Sequence, residues 1–182
     1  MIFIITGKPG VGKSTLFNDV VEMLIKNNYV VGGVKTPEVR DKGIRIGFKI
    51  IDIMTGEEAW LAKKGIPGNV RIGSYTIMVD QASSLVERAL KRAIESAMVI
   101  GVDEVGPMEL KLPVFKPMLI RAIESGKPII LVIHYNLSDI DILKRIEKTL
   151  KRVTLTIENR EELRKRFPKE VLEILAKTGS VK

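Results

Sequence analysis

The chain is 182 residues long, with 45% hydrophobic and 29% charged residues, a balance that suits one globular domain, 1–182. It has no cysteine, which excludes disulfides and thiolate metal sites, and no apolar run approaches the ~20 residues that span a bilayer. Lys plus Arg is 30 and Asp plus Glu is 22, so a net charge of +8 draws polyanions such as free triphosphates or nucleic acid, while aromatics at 5% leave few platforms for stacking single strands.

The N-terminus, Met1-Ile2-Phe3-Ile4-Ile5, is apolar but lacks a basic flank and runs straight into glycines. Ile2 to Thr6 therefore reads as a buried strand, not a secretory signal, and the cytoplasm is the default location. Gly7-Lys8-Pro9-Gly10-Val11-Gly12-Lys13-Ser14 follows and fits G-x-x-x-x-G-K-[ST]. A chance match in a chain of this length is on the order of one in a hundred. The context, a buried strand before and a helix after, is what a phosphate loop requires. Gly10 and Gly12 let backbone amides turn inward without a Cβ clash, and the helix start adds its partial positive charge. Lys13 supplies an ammonium for the β- and γ-phosphates, Ser14 a hydroxyl for Mg²⁺, and Thr15 lies beside the α-phosphate. The plain alternative is a glycine-rich turn without a ligand.

Lys13 to Asn27 reads as a helix with Leu16, Phe17, Val20, Val21 and Leu24 on one face, and Tyr29 to Thr36 as a strand. From Glu38 to Met78 β-branched residues alternate with turn pairs such as Lys42-Gly43, Thr55-Gly56 and Pro67-Gly68. This predicts two or more antiparallel strands inserted into a parallel core. Val79 to Ser96 returns to helix.

Met98 to Val102 reads as a buried strand that ends at Asp103 and Glu104. A parallel strand ending in Asp puts its carboxylate at the edge where the phosphate loop emerges. Asp103 then holds Mg²⁺, and Glu104 polarises an attacking water. A solvated, charged strand end is the alternative. Val114 to Ser125 is a helix and Ile129 to Ile133 a strand. Ser138 caps a helix to about Thr149, Val153 to Ile157 is the last strand, and Asn159 onward is helical. The basic residues between Lys144 and Lys169 alternate with apolar ones at helical spacing, as on a solvated helix face. The alternation predicts an α/β, three-layer P-loop fold, a mostly parallel sheet with an antiparallel insert at about 38–78. Abundant Lys, Glu and Ile with a single Gln fit a thermophile.

Several segments together resemble the thermophilic P-loop nucleoside-triphosphatase family, which has a human member. They are the phosphate loop, Gly32-Gly33-Val34-Lys35-Thr36-Pro37-Glu38-Val39-Arg40, Gly43-Ile44-Arg45-Ile46-Gly47-Phe48 and Arg71-Ile72-Gly73-Ser74-Tyr75. Val102-Asp103-Glu104-Val105-Gly106-Pro107-Met108-Glu109-Leu110 and Thr156-Ile157-Glu158-Asn159-Arg160 complete the likeness, from Ile2 to about Leu163. Val105 and Pro107 depart from the commoner Ile and polar residue. The resemblance implies slow, Mg²⁺-dependent hydrolysis of ATP, GTP, CTP, UTP and similar triphosphates with weak base selectivity. It also implies a glutamate that activates water after the metal-binding aspartate.

The expected nucleotide-binding set is Gly7 to Thr15, then Val99, Ile100, Gly101, Val102, Asp103, Glu104, Val105 and Gly106, with Asn159 and Arg160. Ser14 and Asp103 are the Mg²⁺ ligands, and Lys13, Glu104, Arg40 and Arg45 the catalytic candidates. An in-chain arginine finger is expected from among Arg40, Arg45, Arg71 and Arg160, each of which reads equally as surface charge. His134 either senses the γ-phosphate or is a hydrogen-bonded strand end. Trp60 and Tyr75 either stack on a base or pack the insert, and Asn159 either contacts the base or caps a helix.

Four rival functions remain. A guanine switch needs a Lys that His134-Tyr135-Asn136-Leu137-Ser138-Asp139 lacks. A nucleoside or nucleotide kinase uses the same loop, but Glu104 after Asp103 favours water over an acceptor. A nucleotide-loaded adaptor and a nucleic-acid-stimulated ATPase complete the set. No exposed heptad demands a partner, so a monomer free of membrane and nucleic acid is expected.

Overall fold

The computed structural model describes residues 1–179. Its centre follows from strands apolar on both faces. In β1 (Ile2–Gly7), Ile2 and Ile4 enter one core and Phe3 and Ile5 the other, and all four are buried. β9 (Ile129–His134) divides the same way, with Ile129, Leu131 and Ile133 opposed to Ile130 and Val132. Such strands can sit only in the middle of a sheet with helices above and below.

A parallel set, β10 (Lys151–Leu155), β1, β9, β8 (Val99–Val105) and β2 (Val31–Lys35), runs in that order across the molecule. Helices α1 (Lys13–Lys26) and α5 (Arg160–Gly179) cover one face. Helices α2 (Val79–Ser96), α3 (Phe115–Glu124) and α4 (Ile140–Arg145) pack on the other. The insert continues the sheet beyond β2 as antiparallel strands β4 (Ile44–Asp52), β5 (Glu58–Lys64), β7 (Tyr75–Ile77) and β6 (Arg71–Ile72). β3 (Glu38–Asp41) folds back on β4. The three-layer P-loop architecture with an antiparallel insert is therefore present. Asp52, wholly buried, pairs with Arg92 of α2, and the Arg88–Glu57 pair ties the same helix to the insert. No helix among the described residues is long and apolar enough to cross a membrane.

Three boundaries differ from the sequence reading. β8 does not stop at Val102 but runs through Asp103 and Glu104 to Val105. The ladder to β9 skips a residue there, from Asp103↔Val132 to Val105↔Ile133, so Glu104 is the extra residue of a bulge. The helix expected from Ser138 to Thr149 spans Ile140–Arg145, and its cap is Asp139, whose carboxylate accepts from the Ile142 amide at 3.1 Å. The same carboxylate is paired with Lys116 at 2.8 Å. β10 begins at Lys151 and ends at Leu155, following the register of β1.

Candidate active site

The phosphate loop connects β1 to α1. Gly10 and Gly12 have φ of 78° and 105°, values that residues with a Cβ rarely adopt. No acidic side chain occupies the first turn of α1, so its positive end is left for an anion. Lys13 is only 9% exposed. Its ammonium lies 3.3 Å from the Lys8 carbonyl and 3.5 Å from Glu104 Oε1. The second distance is a charge contact rather than a hydrogen bond, and Glu104 Oε1 is buried with no hydrogen-bond partner.

β8 delivers the two carboxylates. Val99, Ile100, Val102 and Val105, expected in the nucleotide-binding set, have their side chains wholly buried in the cores, from where they fix the strand end. Gly101 serves packing as well, since a Cβ there would sit 2.8 Å from the Phe17 ring. Asp103 stands beside Lys35 in the parallel ladder and is 3% exposed. Burial pushes its carboxyl up to about 7. A hydrogen bond from Ser14 opposes that rise, Glu104 adds to it, and the charges of Lys13 and Lys35 pull it back.

Ser14 and Asp103 are thus brought together from the two segments, while the Ser14 residue itself stays exposed. A hydroxyl and a carboxylate are hard oxygen donors of the kind Mg²⁺ takes alongside substrate phosphates. The buried, unpartnered Glu104 oxygen next to them marks a place where a polar ligand completes the arrangement. The residues present fit the ion.

Two further residues belong to this cluster and were missed from the sequence. Thr36, just past β2, donates its hydroxyl proton to the Asp103 carbonyl at 2.8 Å and accepts from the Glu104 amide at 3.1 Å. Glu109 is 5% exposed, and burial pushes its carboxyl up to about 8. Met108 and Leu110 both pack on the core, so a carboxylate between them has to turn inward or outward, and here it turns inward.

The remaining candidates are not gathered at the cluster. Arg40 and Arg45 both lie against Glu38, at 2.6 Å and 3.5 Å, on the exposed β3–β4 hairpin. Arg160 pairs with Glu161 at 3.5 Å, and Arg71 is exposed on β6. His134 closes β9 opposite Gly7, and its Nδ1 accepts from the Asn136 amide at 3.2 Å, a hydrogen-bonded strand end. The Asn159 side chain turns back on its own loop. Its Oδ1 accepts from the Thr156 amide at 2.8 Å and its Nδ2 donates to the Thr154 carbonyl at 3.0 Å. Tyr75 packs edge-on to Phe48, with ring centroids 5.4 Å apart, and Trp60 lies under Lys49 and Lys63.

The profile of the family described as NTPase matches residues 2–167. A relative described as nucleoside-triphosphatase THEP1 from Thermofilum pendens is 37% identical, covering 96% of this chain and 97% of its own. The crystal structure of THEP1 from Aquifex aeolicus superposes with a TM-score of 0.78 at 32% identity, over 96% of this chain and 99% of that one. The solution structure of a human cancer-related nucleoside triphosphatase gives 0.77 at 27% identity, over 99% and 98%.

Proposed function

This chain belongs to the THEP1 family of P-loop nucleoside-triphosphatases, and from that premise we propose that Lys13, Ser14, Asp103 and Glu104 carry Mg²⁺-dependent attack of water on the γ-phosphorus. It is an enzyme that hydrolyses nucleoside triphosphates. The observation that supports the residue assignment is the placement of Glu104. Its carboxylate is held by a bulge in a buried strand, with Oε1 3.5 Å from the phosphate-loop ammonium and without a hydrogen-bond partner.

The water oxygen forms a bond to the γ-phosphorus as the bond to the bridging β–γ oxygen breaks. Glu104 accepts the water proton, and the products are the nucleoside diphosphate and phosphate. A positioned base of this kind is worth about 10²- to 10⁴-fold. Lys13 meets the charge that develops on the bridging and γ-oxygens, inside a site where its field is little screened. Ser14 and Asp103 hold Mg²⁺, which when bound spreads the charge of the β- and γ-phosphates. Before the triphosphate arrives, the Lys13–Glu104 contact keeps the ammonium and the base facing the same space.

Weak base selectivity is part of the proposal. The Asn159 amide that could read a base is spent on its own loop at both ends. We also place an arginine among the catalytic groups, with Arg40 and Arg45 the first to test, each needing to leave Glu38. The enzyme works as a monomer on free nucleotides. Many of its basic residues are already in ion pairs, such as Arg164–Asp19 and Lys151–Glu170, which lowers the positive field available to nucleic acid.

The test is phosphate release from ATP, GTP, CTP and UTP with Mg²⁺ and no acceptor, with Lys13→Ala and a chelator as controls. Release from all four, lost in both controls, is the expected result. Bound nucleotide without released phosphate would instead point to a kinase or an adaptor.

A further inference from the structure

Glu104 sits where the sheet stops holding its backbone. The ladder from β8 to β9 passes from Asp103↔Val132 to Val105↔Ile133 and leaves Glu104 out. On the other side, the pairing of β8 with β2 ends at Lys35↔Asp103. A bulged residue has lost the cross-strand bonds that would fix it, so a base at this place needs another anchor.

The anchor is Thr36, the residue that follows β2. Its hydroxyl donates to the Asp103 carbonyl at 2.8 Å, and the same oxygen accepts from the Glu104 amide at 3.1 Å. A hydroxyl has one proton to give and lone pairs to receive, so one side chain satisfies both polar groups of the peptide that joins Asp103 to Glu104. The hydroxyl is itself held in place. Thr36 is β-branched, which restricts its χ1, and Pro37 after it biases its backbone to the extended region. The Pro37 carbonyl accepts from the Lys49 amide at 3.1 Å, which ties this short link to β4 of the insert.

We propose that Thr36 is a positioning residue for hydrolysis: its hydroxyl clamps the Asp103–Glu104 peptide at the bulge and so aims the Glu104 carboxylate at the attacking water. Glu104 Oε1 has no hydrogen-bond partner, and its 3.5 Å approach to Lys13 is a charge contact with little directionality. The aim of that oxygen therefore comes from the backbone behind it. Without the clamp the base keeps its chemistry but loses its aim. Misplacement of a reacting group by about 1 Å costs on the order of 10²-fold. This inference rests on Glu104 acting as the base.

The experiment is a steady-state and binding comparison with Mg²⁺ and ATP. Thr36→Val keeps the shape and removes the hydroxyl, which leaves a carbonyl and an amide to find other partners. It is expected to lower kcat about 10- to 100-fold while ATP affinity stays within about twofold. Thr36→Ser, which keeps the hydroxyl, is expected to stay within about fivefold of the parent. Thr36→Ala reads the same loss should Thr36→Val fail to fold.

Glu104→Gln runs in parallel, alone and combined with Thr36→Val. A clamp that acts through Glu104 has little left to aim once the base is gone. Thr36→Val should therefore lower the residual turnover of Glu104→Gln by less than about threefold. A general structural defect would repeat its full loss there, and that result overturns the clamp. So does a Thr36→Val of near-parent kcat beside an inactive Glu104→Gln, or a Thr36→Ser as impaired as Thr36→Val. Full activity in Glu104→Gln sinks the base assignment itself, and the clamp with it.

Discussion

The two halves of the sheet are built differently and do different work. The parallel half, β10-β1-β9-β8-β2, is covered on both faces and delivers every member of the candidate site from its carboxyl edge. The inserted half is antiparallel, packs on α2 through Phe48, Ile50 and Leu61, and turns Lys49, Trp60 and Lys63 away from that core. The lesson is that burial on both sides is what holds an ionisable group still. Asp103 and Glu104 can be aimed because the apolar residues around them leave no alternative packing. Arg40 and Arg45, on a hairpin in water, settle on the nearest carboxylate, Glu38.

The largest expected effects lie in the parallel half. Lys13→Ala and Glu104→Gln should each lower kcat by about 10²-fold or more, measured as phosphate release. If Glu104→Gln loses less than about tenfold, the functional weight of that half has been misplaced.

The arginines can break the comparison. Alanine at Arg40, Arg45, Arg71 and Arg160 in turn should cost more than roughly threefold in at least one case, since a positioned arginine stabilises the γ-phosphoryl charge. A loss at Arg40 or Arg45 would mean that the insert closes over the nucleotide and contributes chemistry. No loss beyond that in any of the four would remove the arginine from the mechanism.

Stability should sharpen the contrast within the insert. Leu61 is fully buried, and Leu61→Ala should cost about 2–5 kcal/mol in denaturant unfolding. Trp60→Ala, on the other face and only half-buried, should cost clearly less and leave kcat within about twofold. A collapse in turnover with Trp60→Ala would instead favour base stacking there.

The smallest effect is a slope with pH. The Glu109 carboxyl moves from an ordinary 4.5 to about 8 in the folded chain. Between those values the folded state holds a proton that the unfolded state has released. Its stabilising contribution is therefore full below 4.5 and is lost as pH rises through 8. Melting temperatures from pH 5 to 8.5 should fall more steeply with pH for the parent than for Glu109→Gln. Equal slopes would show that Glu109 is ionised in the fold.

The same contrast decides what could be read from the residues. The parallel strands announce themselves as unbroken apolar runs, and the phosphate loop is legible because its spacing and its strand–helix context agree. The insert is not, beyond being antiparallel. Its longest strand, β4, is half-exposed, β6 has only two residues, and irregular register after Val39 and Phe48 breaks the alternation. In the site, Lys13, Ser14, Asp103 and Glu104 follow from local pattern. Thr36 and Glu109 do not, because their meaning depends on β2 lying beside β8, a neighbour relation made by tertiary folding. Arg40 and Arg45 are open for the opposite reason, since a motif-like segment says nothing about which carboxylate an exposed arginine will find, and here it is Glu38.

The most direct test of the central claim is a single turnover of Mg²⁺ and ATP in ¹⁸O-water, comparing the parent with Glu104→Gln under conditions where both bind nucleotide. The account predicts that the parent places one solvent oxygen in the released phosphate and none in the diphosphate, and that Glu104→Gln binds equally but releases phosphate at least about 10²-fold more slowly. Labelled diphosphate, or a Glu104→Gln variant that turns over at the parent rate, would contradict it.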